Sequence, residues 1–389
     1  MTIASEITKL NTNLTNAYTA VDGKGGTLPQ AQNFDNLATA ISSIPSGSSP
    51  TLITKSITVN GTYNASSDNA DGYSSVTVNV SGGGGGIGIT REVKNGVYQM
   101  PTTSFSFSLP SDATDVGNNG LYYAFKYCTG LTSVDLSSLT KVSGSDGLDS
   151  AFYGCTGLTS VDLSSLTTVS GRYGLGYAFR DCTGLTSVDL SSLTKVSGSD
   201  GLDSAFYGCT GLTSADLSSL TTVSGSSGLS SAFYGCKALT SVDLSALTTV
   251  SGNSGLSTAF YNCIWLTSVD LSSLTSVGSY GLNNAFNSCQ ALTSVDLSSL
   301  TSVGSSGLNY AFNYCTGLTD IYFRALTTSS FGSNTNQFNN MMSNTGSRVT
   351  HTLHFPSNLE STISGLTGYP LFGGTSRKVV CAFDLPATS

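Results

Sequence analysis

From about residue 118 the apolar positions recur in one fixed pattern, G-L-x-x-A-F-x-x-C-x-x-L-T-S-V-D-L-S-S-L-T-x-V. In the first copy Leu131, Val134 and Leu136 mark a short strand. Val134 and Leu136 point inward, while Ser133, Asp135 and Ser137 alternate outward. A second apolar run from Leu139 to Val142 follows, and then a Gly/Ser break. The segment G-L-D-S-A-F-Y-G-C predicts one or two helical turns. Cys128, Cys155, Cys182, Cys209, Cys236, Cys263, Cys289 and Cys315 keep the register, with spacings of 27 five times and then 26 twice. Phe125, Phe152, Phe179, Phe206, Phe233, Phe260, Phe286 and Phe312 form a parallel column. Residues 144–171 and 198–225 differ only at Val161 against Ala215, the mark of recent internal duplication. One unit has no second layer to cover its apolar face. Eight units of 26–27 residues stacked in parallel bury a continuous core of Leu, Val, Phe and Cys, which predicts an α/β repeat solenoid over 118–340.

The flanks follow other periods. Ile3, Ile7, Leu10, Leu14, Ala17 and Val21 are spaced 4, 3, 4, 3, 4, a heptad seam on a Thr/Asn-rich helix. GKGGTLP ends that helix, and Phe34, Leu37 and Ile41 mark a second. Residues 1–45 are thus a helical oligomerisation or docking segment. The seam packs either on the second helix as a hairpin or on other copies of the chain, and Ile and Leu at both seam positions lean toward three strands. Residues 51–80 alternate as a small β-hairpin module, 81–86 are a glycine linker, and 87–117 form an N-terminal cap. Residues 341–389, with VTHTLHF and RKVVCAFDL as strands, form a C-terminal β cap.

Composition narrows the function. Charged residues are 10% of the 389, against about 25% in an ordinary domain. Lys plus Arg is 15 and Asp plus Glu is 23, a net charge of −8, which argues against nucleic acid and anionic membrane as partners. No run approaches a membrane span, so no membrane insertion is expected. The start MTIASEITKLNTNL has no basic stretch followed by an apolar one, which predicts synthesis without secretion and reduced cysteines. No G-x-S-x-G, H-E-x-x-H or P-loop pattern occurs, so neither an enzyme nor a cofactor is expected.

The A-F-x-x-C-x-x-L-x-x-V-x-L pattern over roughly 118–326 resembles the BspA-like leucine-rich repeats of bacterial surface and phage proteins. The resemblance implies a right-handed solenoid and a binding role, commonly adhesion, with no catalytic residue. The helical start and the S-I-T-V-N-G-T-Y-N-A…D-G-Y-S-S-V-T-V-N-V module, about 1–80, are similar to pieces of tail and minor structural proteins of phages of gut Firmicutes.

Three columns are candidate sites. The cysteines could pair or bind metal, but their spacing fits no zinc site, so they are expected as small buried apolar residues. Asp135, Asp162, Asp189, Asp216, Asp243, Asp270 and Asp296 form a carboxylate ladder with strands about 4.8 Å apart. The ladder either collects Ca²⁺ or is solvated and bonded to neighbouring Ser hydroxyls and backbone N–H groups; no glycine-bearing calcium loop accompanies it. Variation between copies concentrates around A-F and selects a ligand-binding face: Tyr123, Lys126, Tyr153, Tyr177, Arg180, Tyr207, Tyr234, Tyr261, Trp265 and Tyr310. Such aromatics also suit sugar rings.

These features predict a phage virion protein, tail- or fibre-associated and assembled in the host cytoplasm. Its solenoid would bind a host-surface glycan or protein, and its N-terminus would meet other virion proteins or further copies of the chain. A bacterial cell-surface adhesin and a purely structural virion subunit are the alternatives.

Overall fold

The computed structural model describes residues 61–63, 76–79, 88–91, 105–109, 111–331, 336–338, 340–342, 350–366 and 379–387. The helical segment 1–45, with its seam of Ile3, Ile7, Leu10, Leu14 and Val21, lies outside the described residues, as does the glycine linker. Gly61–Tyr63 pairs antiparallel with Val76–Asn79. Val76–Asn79 pairs in turn with Gly88–Arg91, a third strand that comes from the segment assigned to the cap.

The repeats form a β-solenoid of about nine turns. Each copy gives one strand to an eleven-stranded sheet, from Phe105–Ser108 and Leu131–Asp135 through Ser160–Asp162 and its successors to Asp320–Tyr322, His351–Pro356 and Val379–Leu385. The second apolar run of each copy gives a two-residue strand to a seven-stranded sheet running from Lys141–Val142 to Ser302–Val303. Within the repeats every pairing is parallel and in register, so Val134 faces Val161 and Asp135 faces Asp162. Register follows from chemistry here, since a slip of one residue would move Ser160 and Asp162 inward and Val161 out.

The core is a set of columns. Leu148, Phe152, Cys155, Leu158, Leu163, Leu166 and Val169 of one copy are all fully buried, and their counterparts in later copies are buried as well. The rings from Phe125 to Phe312 stack in one series with centroids 5.1–5.5 Å apart and planes within 8°. Polar atoms are satisfied between coils. Thr159 Oγ1 donates to Thr132 O, Thr186 Oγ1 to Thr159 O, and a second threonine column from Thr140 to Thr301 repeats the bond. The eight repeat cysteines are free and buried, and Cys155 Sγ donates to Phe125 O at 3.0 Å. Later cysteines do the same, and burial pushes the thiols of Cys182, Cys236, Cys263 and Cys289 well up.

The expected helical turns of the A-F-x-x-C segment are absent. Within the repeats no helix occurs; the described helices are Thr328–Phe331, Ser357–Leu359 and Glu360–Ser364, all beyond them. The reason lies in where the backbone N–H groups go. Asp149, Ala151, Tyr153 and Cys155 each donate three residues back within the coil. Leu148, Ser150, Phe152 and Gly154 instead donate to Gly174, Gly176, Ala178 and Arg180 of the next coil, each at 2.8 Å. Half the donors that a helix would use internally are thus spent on the neighbour. The solenoid is strand and turn throughout its repeats.

The last coils carry a charged clamp. His354 Nε2 lies 3.0 Å from Asp320 Oδ1, and its Nδ1 lies 2.9 Å from Asp384 Oδ2, linking three adjacent strands. The imidazole also stacks on Tyr322 at 4.5 Å. Burial alone would lower the His354 pKa, but the bonds to the two carboxylates outweigh it and raise the pKa above its ordinary value.

Candidate binding face

Turning the chain every four residues in the A-F segment needs left-handed backbone. Two columns adopt it in every copy, and a third does so in part, at Asn119, Asp146, Tyr173, Tyr280 and Ser306. One contains Tyr123, Ser150, Tyr177, Ser204, Ser231, Thr258, Asn284 and Tyr310, with φ between +52° and +55°. The other contains Tyr127, Gly154, Asp181, Gly208, Gly235, Asn262, Ser288 and Tyr314, with φ between +57° and +72°. Non-glycine residues rarely adopt this region, least of all bulky ones. In-register bonding to both neighbouring coils holds them there. These positions carry much of the variation between copies.

Between the two columns runs the residue after A-F. In chain order it is Lys126, Tyr153, Arg180, Tyr207, Tyr234, Tyr261, Asn287 and Asn313. The rise between coils is close to the thickness of a ring, so these side chains stack. Lys126 Nζ sits 4.5 Å from the Tyr123 centroid and 4.7 Å from that of Tyr153. The Arg180 guanidinium carbon is 4.2 Å from the Tyr207 ring and 5.6 Å from Tyr153. Tyr207, Tyr234 and Tyr261 then stack at 4.6 and 4.7 Å with planes within 3°. This corrects one use of the tyrosines. The faces of Tyr207 and Tyr234 are occupied by neighbouring side chains, so a ligand meets their edges and hydroxyls rather than a stacking surface. Trp265, 62% exposed, lies outside this stack.

Five of the ten face residues converge. Tyr123, Lys126, Tyr153, Tyr177 and Arg180 line one open groove of about 400 Å³. Asp149, Ser150 and Tyr173 complete it, and none of the three stands in the set selected by the variation. The column of Asp149 also varies between copies, through Tyr122, Asp149, Gly176, Asp203, Ser230, Ser257, Asn283 and Asn309; what singles out Asp149 is its proximity to Lys126 in the neighbouring coil. Burial pushes the Asp149 carboxyl up to about 6, with Asp146 adding to the rise and the Ser150 hydroxyl and Lys126 opposing it. Burial and then Asp203 push the Tyr177 phenol up to about 12. Arg180 Nε is 3.5 Å from Asp181 Oδ2, an ion pair without hydrogen-bond geometry. Tyr207, Tyr234 and Tyr261 continue the column away from the groove. Tyr310 lies coils further on and accepts a bond from Asn340 Nδ2 at 3.2 Å.

The aspartate ladder has a local task. Asp135 Oδ1 accepts the Ser137 N–H at 2.9 Å, and the other six aspartates repeat this bond to the serine two residues on. Each is an Asx-turn that closes the strand. The Ser137 bonds hold the Asp135 carboxyl below its ordinary pKa, and Ser191 and Ser245 do the same for Asp189 and Asp243. Among the described residues no group of three or more metal-ligating side chains converges on one point. A second groove of about 520 Å³ lies over Asp135, Asp162 and Asp189 with their flanking serines.

Comparison with known proteins follows the repeats. The model for the BspA type leucine rich repeat region, in six copies, matches residues 92–230, 149–256 and 230–361, more than half of the chain. No curated protein matches. Among solved structures, a leucine-rich repeat protein from Bacteroides ovatus is 18% identical and covers 79% of this chain and 98% of its own, with a TM-score of 0.24. An internalin from Listeria monocytogenes is 14% identical and covers 63% of this chain and 81% of its own, also with a TM-score of 0.24.

Proposed function

The chain belongs to the BspA-type leucine-rich-repeat family, and from that premise we propose that it is an adhesion protein whose solenoid binds a host-surface glycan or protein through its turn face. No enzymatic family is indicated, and leucine-rich-repeat solenoids are typically non-catalytic binding scaffolds. One observation carries the reading: five of the residues that vary between otherwise uniform copies line a single groove. The Ser-Val-Asp strands, by contrast, vary little and are spent on pairing and Asx-turns.

Two settings suit such a protein. A phage virion, with the chain in a tail or fibre, is supported by the resemblance of residues 1–80. In that setting Ile3, Ile7, Leu10, Leu14 and Val21 join copies, as a trimer, or dock the chain on other virion proteins. A bacterial cell surface is supported by the family, whose members are typically cell-surface proteins. Among the described residues no helix is long and apolar enough to cross a membrane. The test is binding of the labelled full chain to candidate host cells, beside a Y153A/R180A variant. Saturable binding that the variant loses is expected. Binding that the variant retains in full would remove the turn face from the function, and no binding to any host cell would leave a purely structural role.

A further inference from the structure

We propose that the groove between Lys126 and Arg180 is a subsite for an acidic sugar, a saccharide bearing carboxylate or sulfate groups as well as hydroxyls. The inference rests on the reading of the turn face as a binding surface and names its ligand class.

The first support is the placement of charge. Cations occur in the column after A-F at Lys126 and Arg180 only, and both line the groove. They stand two coils apart, about 10 Å at the spacing of parallel strands, with Tyr153 between them. Each is packed against tyrosine rings, Lys126 on Tyr123 and Tyr153 and Arg180 on Tyr207 and Tyr153. Long cationic side chains normally lose much rotamer freedom on binding; these are already ordered, which lowers that cost.

The second support is what lies between the cations. Asp149 faces the same groove, and among the described residues its side-chain hydrogen bond is from the Ser150 hydroxyl to Oδ1 at 2.9 Å. The remaining carboxylate positions need O–H or N–H donors. The Tyr153 ring is packed by Lys126 and by Arg180, so its phenol offers an edge and a hydroxyl. The lining therefore alternates cation, acceptor and cation. It fits a ligand with anionic groups at its ends and hydroxyl donors between them. An acidic peptide supplies the anions but no row of hydroxyls, and a neutral sugar supplies the hydroxyls alone.

The experiment is calorimetric titration of the full chain with tetragalacturonate, a chondroitin sulfate tetrasaccharide, cellotetraose and hexaglutamate at low salt. The variants are K126Q/R180Q and the charge-matched control K195Q/K237Q, whose lysines lie outside the groove. One or both acidic saccharides should bind roughly tenfold tighter than cellotetraose, with the gap closing as salt rises. K126Q/R180Q should abolish the gap and K195Q/K237Q should leave it. Which acidic probe binds separates carboxylate from sulfate. Cellotetraose binding as tightly overturns the inference while leaving glycan recognition standing. Hexaglutamate binding as tightly overturns the choice of a sugar. An acid preference that survives K126Q/R180Q places the site elsewhere. If no probe binds, this inference falls, and the cell-binding measurement alone decides the adhesion reading.

Discussion

Gly198 and Gly235 differ in what a methyl group would meet, and the difference fixes two unequal costs. A Cβ on Gly198 would lie 1.9 Å from the Gly171 carbonyl oxygen and 2.8 Å from its carbon. Such contacts are not seen under 3.0 Å, so the coils must part locally by about 1.1 Å. The bonds that hold them there are Ser197 N–H to Val169 O at 2.9 Å and Gly198 N–H to the same oxygen at 3.2 Å. Opening by an ångström carries both out of hydrogen-bond range. Two bonds at about 1 kcal/mol each, plus 1–3 kcal/mol for stripping that carbonyl of its donors, give about 4 kcal/mol for G198A. Gly235 is left-handed at φ +71°, and its Cβ would meet nothing within 4 Å. G235A therefore costs only the left-handed conformation, about 1–2 kcal/mol, less about 0.5 kcal/mol of unfolded-state entropy. Urea unfolding of the full chain followed by far-ultraviolet circular dichroism measures both. Coils couple to their neighbours, so G198A is also expected to broaden or split the transition. If G198A falls within 1 kcal/mol of G235A, close packing at this glycine column is not what sets the rise.

Further outcomes follow from the titratable groups. Because the folded pKa of Asp149 is raised to about 6 from 3.8, the native carboxyl holds its proton longer than the unfolded one, and stability falls as pH rises through that window. D149N should therefore stabilise by about 1 kcal/mol at pH 7.5, the shift being discounted for a half-exposed group, and by nothing at pH 3.5. Equal melting shifts at the two pH values would refute this. The raised pKa of His354 gives the opposite dependence: its clamp is complete below pH 6.5 and is lost as pH rises through the folded value. H354Q should lower stability by about 1 kcal/mol at pH 5.5 and by clearly less at pH 9, read by thermal unfolding. All eight repeat thiols are buried, and burial pushes Cys381 up to about 12, so native protein at pH 8 should resist an aromatic disulfide reagent. Denaturant should release all nine thiols, and prompt native labelling of more than one would contradict the buried columns.

The strand half of each coil was legible because its alternation has a single solution. Ser160 and Asp162 point out, Val161 points in, and eight copies spaced 26 or 27 residues apart force the parallel register. The turn half misleads for a physical reason. Leu148, Ala151, Phe152 and Cys155 fall at i, i+3, i+4 and i+7, the stripe of an amphipathic helix, and all four are fully buried. A coil that turns every four residues buries the same positions. The signal that separates the two is the four-residue spacing of residues that tolerate positive φ, Asp146, Ser150 and Gly154, and it is obscured where Tyr173, Tyr177 and Asp181 take their places. The face was half legible. Variation finds Lys126, Tyr153 and Arg180, and it also marks the column of Asp149, but it does not show that Asp149 stands in the same groove as the two cations. Nor does it show that the tyrosine faces are occupied, because that depends on the rise between coils rather than on any one coil.

The low charge of the chain follows from the same rise. A charge placed at an equivalent position in successive coils meets its copy about 4.8 Å away, a repulsion of about 1 kcal/mol per pair even in water. Doubling the distance halves the energy and brings it near the Debye length, where salt removes most of the rest. The cations obey this. Lys141 and Lys195 are both paired with Thr168, which stands between them. Lys126 and Arg180 are separated by Tyr153, which both approach as a cation–π partner. On the turn face Asp149 and Asp203 are separated by the coil that carries Gly176. The strand aspartates alone occupy adjacent coils, and there each carboxylate accepts the backbone N–H of the serine two residues on, which disperses the charge. Every other column must be filled with Ser, Thr, Asn or aromatic side chains. Away from the strand aspartates charge therefore enters this surface in spaced pairs, and the pair at Lys126 and Arg180 lines a groove.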